Sequence, residues 1–191
     1  MNNQKIREFF DSLAPSWDDH MVIDPVIIDR IFSCACVSEG KDVLDVACGT
    51  GVLCSFFKER NAASISGIDL SEKMCSIARA KGYTAVYEGD ASTYPYPQTY
   101  DVILVYNAFP HIADRKAFFA HMAESLNNNG TLTVAHGMSR EALQKHHHGV
   151  SDEVSSPLPE IEEMAKQMEP WFTITHTISD EKMYLVTGRK R

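Results

Sequence analysis

Residues 43–51 read Val43-Leu44-Asp45-Val46-Ala47-Cys48-Gly49-Thr50-Gly51. The run Val43 to Val46 suits a strand buried on both faces, and glycines follow it at once. Gly49 and Gly51 let the backbone turn sharply and approach a ligand at positions where a Cβ would collide. The acidic residue lies inside the strand end, ahead of the glycines. A dinucleotide fingerprint would instead need G-x-G-x-x-G, with bare amides facing a pyrophosphate, whereas position 47 is Ala and position 54 is Cys. A carboxylate at a strand end suits a ligand that carries positive charge.

On both sides of this stretch the chain alternates in hydrophobic period. Ile6, Phe9, Phe10 and Leu13 recur at helical spacing over 3–13, and Pro15 ends that run. A second helix is predicted over 24–36, with Asp24 as its cap and Pro25 at the first helical position. Strands are predicted at 41–47, 64–68, 83–87, 100–106 and 131–136, with helices at 51–60, from the Ser71 cap onward, and at 114–127. A helix near 159–169 then precedes two strands, 171–178 and 182–189, joined by the turn Ser179-Asp180-Glu181. Such a pattern predicts one α/β domain over 1–191, doubly wound, with a mostly parallel seven-stranded sheet closed by an antiparallel C-terminal hairpin. Residues 1–36 form N-terminal helices and a lid, and 137–158 a His-rich mobile cover.

Composition narrows the function. A formal net charge of −8 argues against a surface built to hold nucleic acid, and the one dense basic run is Arg189-Lys190-Arg191 at the tail. No stretch approaches the roughly 20 apolar residues of a membrane span, and the polar start is no signal peptide. Cys34, Cys36, Cys48, Cys54 and Cys75 show no ligand or disulfide spacing, which points to a reduced, cytoplasmic location and to cysteines used as small hydrophobes.

The stretch D-V-A-C-G-T-G resembles motif I of class I S-adenosylmethionine methyltransferases, and is most similar to the version in the ubiquinone and menaquinone biosynthesis group and its small-molecule relatives. Phe9-Phe10-Asp11-Ser12-Leu13-Ala14-Pro15-Ser16-Trp17 resembles the N-terminal helix and lid of that group. Further landmarks follow in order: Gly67-Ile68-Asp69-Leu70-Ser71, Glu88-Gly89-Asp90-Ala91, and Tyr100 to His111. The resemblance spans residues 5–135 and implies a Rossmann-like fold with S-adenosylmethionine as cofactor.

The resemblance also implies roles. Asp45 holds the amino group of the methionine part, or partners the loop amides, while Ala47, Gly49 and Gly51 let the loop approach. Asp69, next to Leu70, accepts the two ribose hydroxyls, with a helix cap as the alternative. Asp90 reads the adenine amino group and the Ala91 amide a ring nitrogen, unless Asp90 only forms a turn. Tyr106 and Asn107 are cofactor contacts by position, and His111 is the acid–base candidate against a packing or capping role. Trp17 reads as a lid over the cofactor, and Phe9 and Phe10 as core residues.

His146-His147-His148 has no counterpart in the family pattern. If a metal were held, His136, His146 and His148 would be the ligands. Successive helical residues point about 100° apart, however, so three in a row cannot converge, and no zinc-like spacing accompanies them. No metal is therefore expected. The reading is methyl transfer to a small-molecule acceptor, with a non-catalytic S-adenosylmethionine sensor or partner subunit as the alternative. Asp69→Ala is expected to weaken cofactor binding while sparing the fold. Acceptor identity and oligomeric state lie beyond the sequence.

Overall fold

The computed structural model describes residues 1–146 and 151–191. Helix α1 (Asn3–Leu13) starts where the Asn2 side chain accepts the N–H groups of Gln4 and Lys5, and a short 3-10 turn at Ala14–Ser16 carries Pro15. In α2 (Pro25–Ala35) the Asp24 carboxylate caps Val26 N–H, and Ile28, Ile31, Phe32 and Ala35 bury one stripe at helical spacing.

Then β1 (Asp42–Val46), α3 (Cys54–Glu59), β2 (Ser64–Asp69), α4 (Glu72–Arg79) and β3 (Ala85–Glu88) alternate. They are followed by β4 (Tyr100–Tyr106), α5 (Arg115–Ser125), β5 (Leu126–His136), α6 (Arg140–His146), α7 (Ile161–Met168), β6 (Phe172–Ser179) and β7 (Tyr184–Lys190). Among the described residues the strands form one seven-stranded sheet in the order β3-β2-β1-β4-β5-β7-β6. Only β7 runs against the rest, pairing antiparallel with both β5 and β6.

Alternation along β1 and β4 sends side chains to two separate cores. Leu44, Val46, Ile103 and Val105 join α5, α6 and α7 on one face, while Val43, Val102 and Leu104 meet α2 and α3 on the other. Burial on both faces explains why these strands read as unbroken apolar runs.

The structure departs from expectation in four places. Helix α3 begins at Cys54 rather than near 51, because Gly51 at φ 84° keeps the loop from entering the helix. Strand β3 begins at Ala85, so Tyr83 is not a strand residue; Gly82, at φ 93°, turns the chain just before it. Strand β5 begins at Leu126, inside the stretch predicted as helix, rather than at 131, and takes up Asn129 at φ 62° beside a register shift against β4. Finally, the cover contains α6. Ser139 Oγ accepts Ala142 N–H at 3.1 Å there, and Leu143, Val154 and Leu158 are buried, so the described part of the cover is packed down. No helix among the described residues is long and apolar enough to cross a membrane.

Candidate functional site

Strand order reverses between β1 and β4, and open α/β sheets bind ligands in the crevice beyond the carboxyl ends at such a point. Both strands leave the sheet through left-handed residues, Ala47 at φ 53° and Asn107 at φ 54°. For an L-residue this costs about 1–2 kcal/mol and is kept where the surroundings enforce it. At Asn107 they do. Its Oδ1 accepts Gly137 N–H at 2.9 Å and its own N–H donates to the Ala135 carbonyl at 2.9 Å, tying the exits of β4 and β5 together. After Ala47 the chain is held by Cys48 N–H on the Ile68 carbonyl at 3.0 Å, and Gly49 then follows at φ 54°.

Two carboxylates face this glycine loop from strand ends. Asp45 is 2% exposed and Asp69 9%. Asp69 Oδ2 accepts Gly49 N–H at 2.8 Å and Oδ1 accepts Ser71 N–H at 2.9 Å, so one side chain spans the loop and the β2–α4 turn. Capping of α4 falls to Ser71, whose Oγ accepts Met74 N–H at 3.1 Å. Asp45 Oδ2 accepts the Tyr83 hydroxyl at 2.6 Å. Burial pushes Asp45 up to about 7, against the Tyr83 hydrogen bond, with the charge of Asp69 adding to the rise. Burial likewise raises Asp69 to about 6, against the Ser71 and Gly49 amides. Among the described residues no lysine, arginine or histidine pairs with either carboxylate. Two buried carboxylates without a cation are costly, and a cationic ligand in the crevice would relieve them.

Helix α1 lies across the ends of β2 and β3. Asn3 Nδ2 donates to Asp90 Oδ2 at 2.7 Å, while Asp90 Oδ1 accepts Ser92 N–H at 2.8 Å. Arg7 Nε donates to the Leu70 carbonyl at 2.9 Å and its guanidinium meets Glu88 at 3.1 Å. The Ser71 hydroxyl donates to Asp11. Beyond α1, the Trp17 indole nitrogen stands 3.9 Å from where a Cβ on Gly49 would lie. Phe10 bridges Trp17 and His111, with ring centroids 5.8 and 4.9 Å away, and both Phe9 and Phe10 are only half-buried. Neither ring is fully buried in the core, and Phe10 packs between Trp17 and His111.

Asp18 ties the turn after α1 to the glycine loop. Its Oδ1 accepts the buried Thr50 hydroxyl at 2.5 Å and its Oδ2 meets Lys81 Nζ at 2.6 Å. Burial works to raise its pKa, but the Lys81 and Thr50 hydrogen bonds and the Lys81 charge hold it below the ordinary value. Breaking a partly exposed pair of this kind costs about 1 kcal/mol. Asp18→Ala is expected to weaken crevice-ligand affinity by roughly three- to tenfold, chiefly through faster dissociation measured by stopped flow. An unchanged dissociation rate would show that Asp18 does not hold the lid.

His111 lies at the end of a short 3-10 turn, with Nδ1 2.9 Å from the Val154 carbonyl. A carbonyl only accepts, so Nδ1 carries a proton in this contact. Ala91 is buried beside this core, whereas Tyr106 points to the α2 face, its phenol raised by burial. A Cβ on Gly137 would come within 2.3 Å of the Tyr106 hydroxyl. Asp45, Ala47, Gly49, Gly51, Asp69 and Trp17 thus converge on the crevice, with Leu70, Asp90 and Ala91 at its β2–β3 end. Tyr106 and Asn107 serve the β4–β5 junction.

His136 is buried at the end of β5, with its ring centroid 6.1 Å from that of Tyr184. The His146 side chain and all of His147 and His148 lie outside the described residues. Among the described residues no three His, Cys, Asp or Glu side chains are placed to hold a metal ion. The sequence reading passed over Tyr83, Asp18 and Asn3. The one signal for Tyr83 was indirect: Gly51 and Gly67 leave an empty volume that some bulky ring must fill.

Residues 43–130 match the family described as a methyltransferase domain. A ubiquinone biosynthesis O-methyltransferase from Azoarcus sp. is 30% identical over 137 residues, 64% of this chain and 58% of that protein. Methyltransferase GfsG from Streptomyces halstedii is 27% identical over 141 residues, 66% of this chain and 51% of that protein. The chain spans about half the length of the curated relatives it matches. In fold it is similar to the magnesium protoporphyrin IX methyltransferase of Synechocystis PCC 6803, solved with bound SAH, at 16% identity and a TM-score of 0.72 over 100% of both chains.

Proposed function

We propose that this chain carries a class I S-adenosylmethionine-dependent methyltransferase domain and transfers the methyl group of S-adenosylmethionine to a small-molecule acceptor; the match of residues 43–130 to the methyltransferase-domain family and the likeness to a ubiquinone biosynthesis O-methyltransferase support this. The observation that carries the reading is the pair of buried carboxylates at the ends of β1 and β2, facing a glycine loop and without a cationic partner among the described residues. S-adenosylmethionine supplies an electrophilic methyl on a positively charged sulfur. Asp69 accepts the ribose hydroxyls on the lone pairs that Gly49 and Ser71 leave open, and Asp90 and Ala91 face the adenine. Charge on the sulfur is lost in the transition state, so a carboxylate against it would favour the ground state. Asp45 is better used on the amino group, whose charge persists. Phe10 and Trp17 exclude water and hold the acceptor in line, which accounts for much of the catalysis in such a transfer. His111 Nε2 takes the acceptor's proton. A small acceptor fits a cover that is short and packed down through Leu143, Val154 and Leu158.

Calorimetric titration with S-adenosylhomocysteine (SAH), with NAD as the comparison, tests the reading. SAH alone should bind. Its affinity should fall as pH drops through the values of Asp45 and Asp69, about 7 and about 6, by up to roughly tenfold per pH unit for each carboxylate. The linked stability has a definite sign. Both folded values lie above the ordinary 3.8, so between pH 3.8 and 7 the native state binds more protons than the unfolded chain. These groups therefore lower ligand-free stability as pH rises through that window, and SAH should raise Tm more at pH 8 than at pH 5.5. Binding of NAD instead, or a pH-independent SAH affinity, would overturn the assignment.

A further inference from the structure

Tyr83 sits outside every element, half-buried, between the α4–β3 turn and the glycine loop. Gly82, at φ 93°, reverses the chain just before it, and Thr84 N–H then rejoins the sheet on the Ile65 carbonyl at 2.7 Å. The reversal drives the phenol ring beneath the loop. A Cβ on Gly51 would lie 2.7 Å from the ring, and one on Gly67 3.1 Å. Two bare glycines, one in the loop and one in β2, make the slot that the ring fills. At the end of that slot the hydroxyl donates to Asp45 Oδ2 at 2.6 Å.

This contact leaves Asp45 Oδ1 without a donor among the described residues. Among the described residues, the neighbours of Asp45 supply no positive charge. Asp69 faces it from β2, Cys48 from the loop and Cys54 from α3, and Asp11 on α1 bears on Asp69 in turn. Burial raises both thiols, so they stay neutral, and the phenol is raised far out of reach by burial and by Asp45 itself, so it is always a donor. Lys81 is turned away to Asp18, and Lys58 Nζ donates to the Lys81 carbonyl at 2.9 Å. Among the described residues, Tyr83 is therefore the side chain that opposes burial and the Asp69 charge at this carboxylate.

We propose that Tyr83 is a positioning residue for cofactor binding: its hydroxyl pins one oxygen of Asp45, favours the ionised carboxylate, and leaves the other oxygen for the ammonium group of the ligand. The inference rests on the proposed S-adenosylmethionine site, and it adds a pH-setting role for a residue from a different part of the chain. Gly82, Gly51 and Gly67 are then parts of the same device, since each gives the ring its path or its space.

The test is Tyr83→Phe, which keeps the ring in its slot and removes only the donor. SAH affinity is measured from pH 5.5 to 8.5 in wild type, Tyr83→Phe, Asp45→Asn and the double variant. In Tyr83→Phe the midpoint of the affinity profile should move up by about one pH unit. Affinity should weaken by about fivefold at pH 7, approach a tenfold loss at pH 5.5, and return to within about twofold of wild type at pH 8.5. With Asp45→Asn in place, Tyr83→Phe should move the profile no further. A loss of equal size at every pH would mean that the hydroxyl only packs, and would overturn the proposal. A second readout needs no ligand: carbon-13 NMR titration of the aspartate carboxyls, with Asp45 assigned from Asp45→Asn. An Asp45 titration unmoved by Tyr83→Phe overturns the inference, whatever the ligand does. A shifted titration in a wild-type protein that ignores SAH would overturn the cofactor reading instead and leave the Tyr83–Asp45 link standing.

Discussion

Asp69→Ala is expected to weaken SAH binding by about 3 kcal/mol, roughly two orders of magnitude in Kd, because two ribose hydroxyls lose a charged acceptor. It will not spare the fold, as a reading confined to the sequence would suggest. Gly49 N–H and Ser71 N–H both end on this carboxylate, and each would lose its partner in a buried setting. An orphaned buried donor costs about 1–3 kcal/mol. Part of that loss is offset, since the substitution also removes a carboxylate that burial already disfavours. The offset is largest where Asp69 is ionised, so the stability deficit should be smaller at pH 8 than at pH 5. Asp69→Asn keeps one acceptor in place and should lose binding with less effect on Tm. Calorimetry and thermal unfolding at both pH values check this; wild-type affinity in Asp69→Ala would remove the residue from the ligand site.

His111→Ala is expected to lower the rate of methyl transfer to a hydroxyl or amine acceptor by 10²–10⁴-fold, the usual contribution of a positioned base. SAH affinity should change by no more than about twofold, since His111 touches Phe10 and the Val154 carbonyl rather than the glycine loop. Added imidazole should restore part of the rate. Wild-type turnover in the variant would leave His111 as the partner of Phe10 and of the cover, a structural role with no proton to move. Loss of turnover together with loss of SAH binding would point instead to a collapsed lid.

Features legible in the chain as written were those set by neighbouring residues. The central strands stood out because burial on both faces leaves Val43-Leu44 and Val102-Ile103-Leu104-Val105 nothing but apolar choices around Asp45. Asp24, Pro25 and Ser71 marked helix starts because a cap acts across two or three residues. Gly49 and Gly51 announced a tight loop for the same local reason, and Asp45 and Asp69 were visible as carboxylates at strand ends. Only the tertiary structure decided what those carboxylates touch. The phenol on Asp45 comes from 38 residues away, the Asp18 hydroxyl partner from 32 and the Asn3 amide on Asp90 from 87. No period or cap rule reaches such distances: these contacts exist because right-handed crossovers stack β1, β2 and β3 side by side, and because α1 folds back over their ends. The apolar stripe of α1 was plain in the sequence, but whether it met the core or a crevice depended on where the sheet left open space.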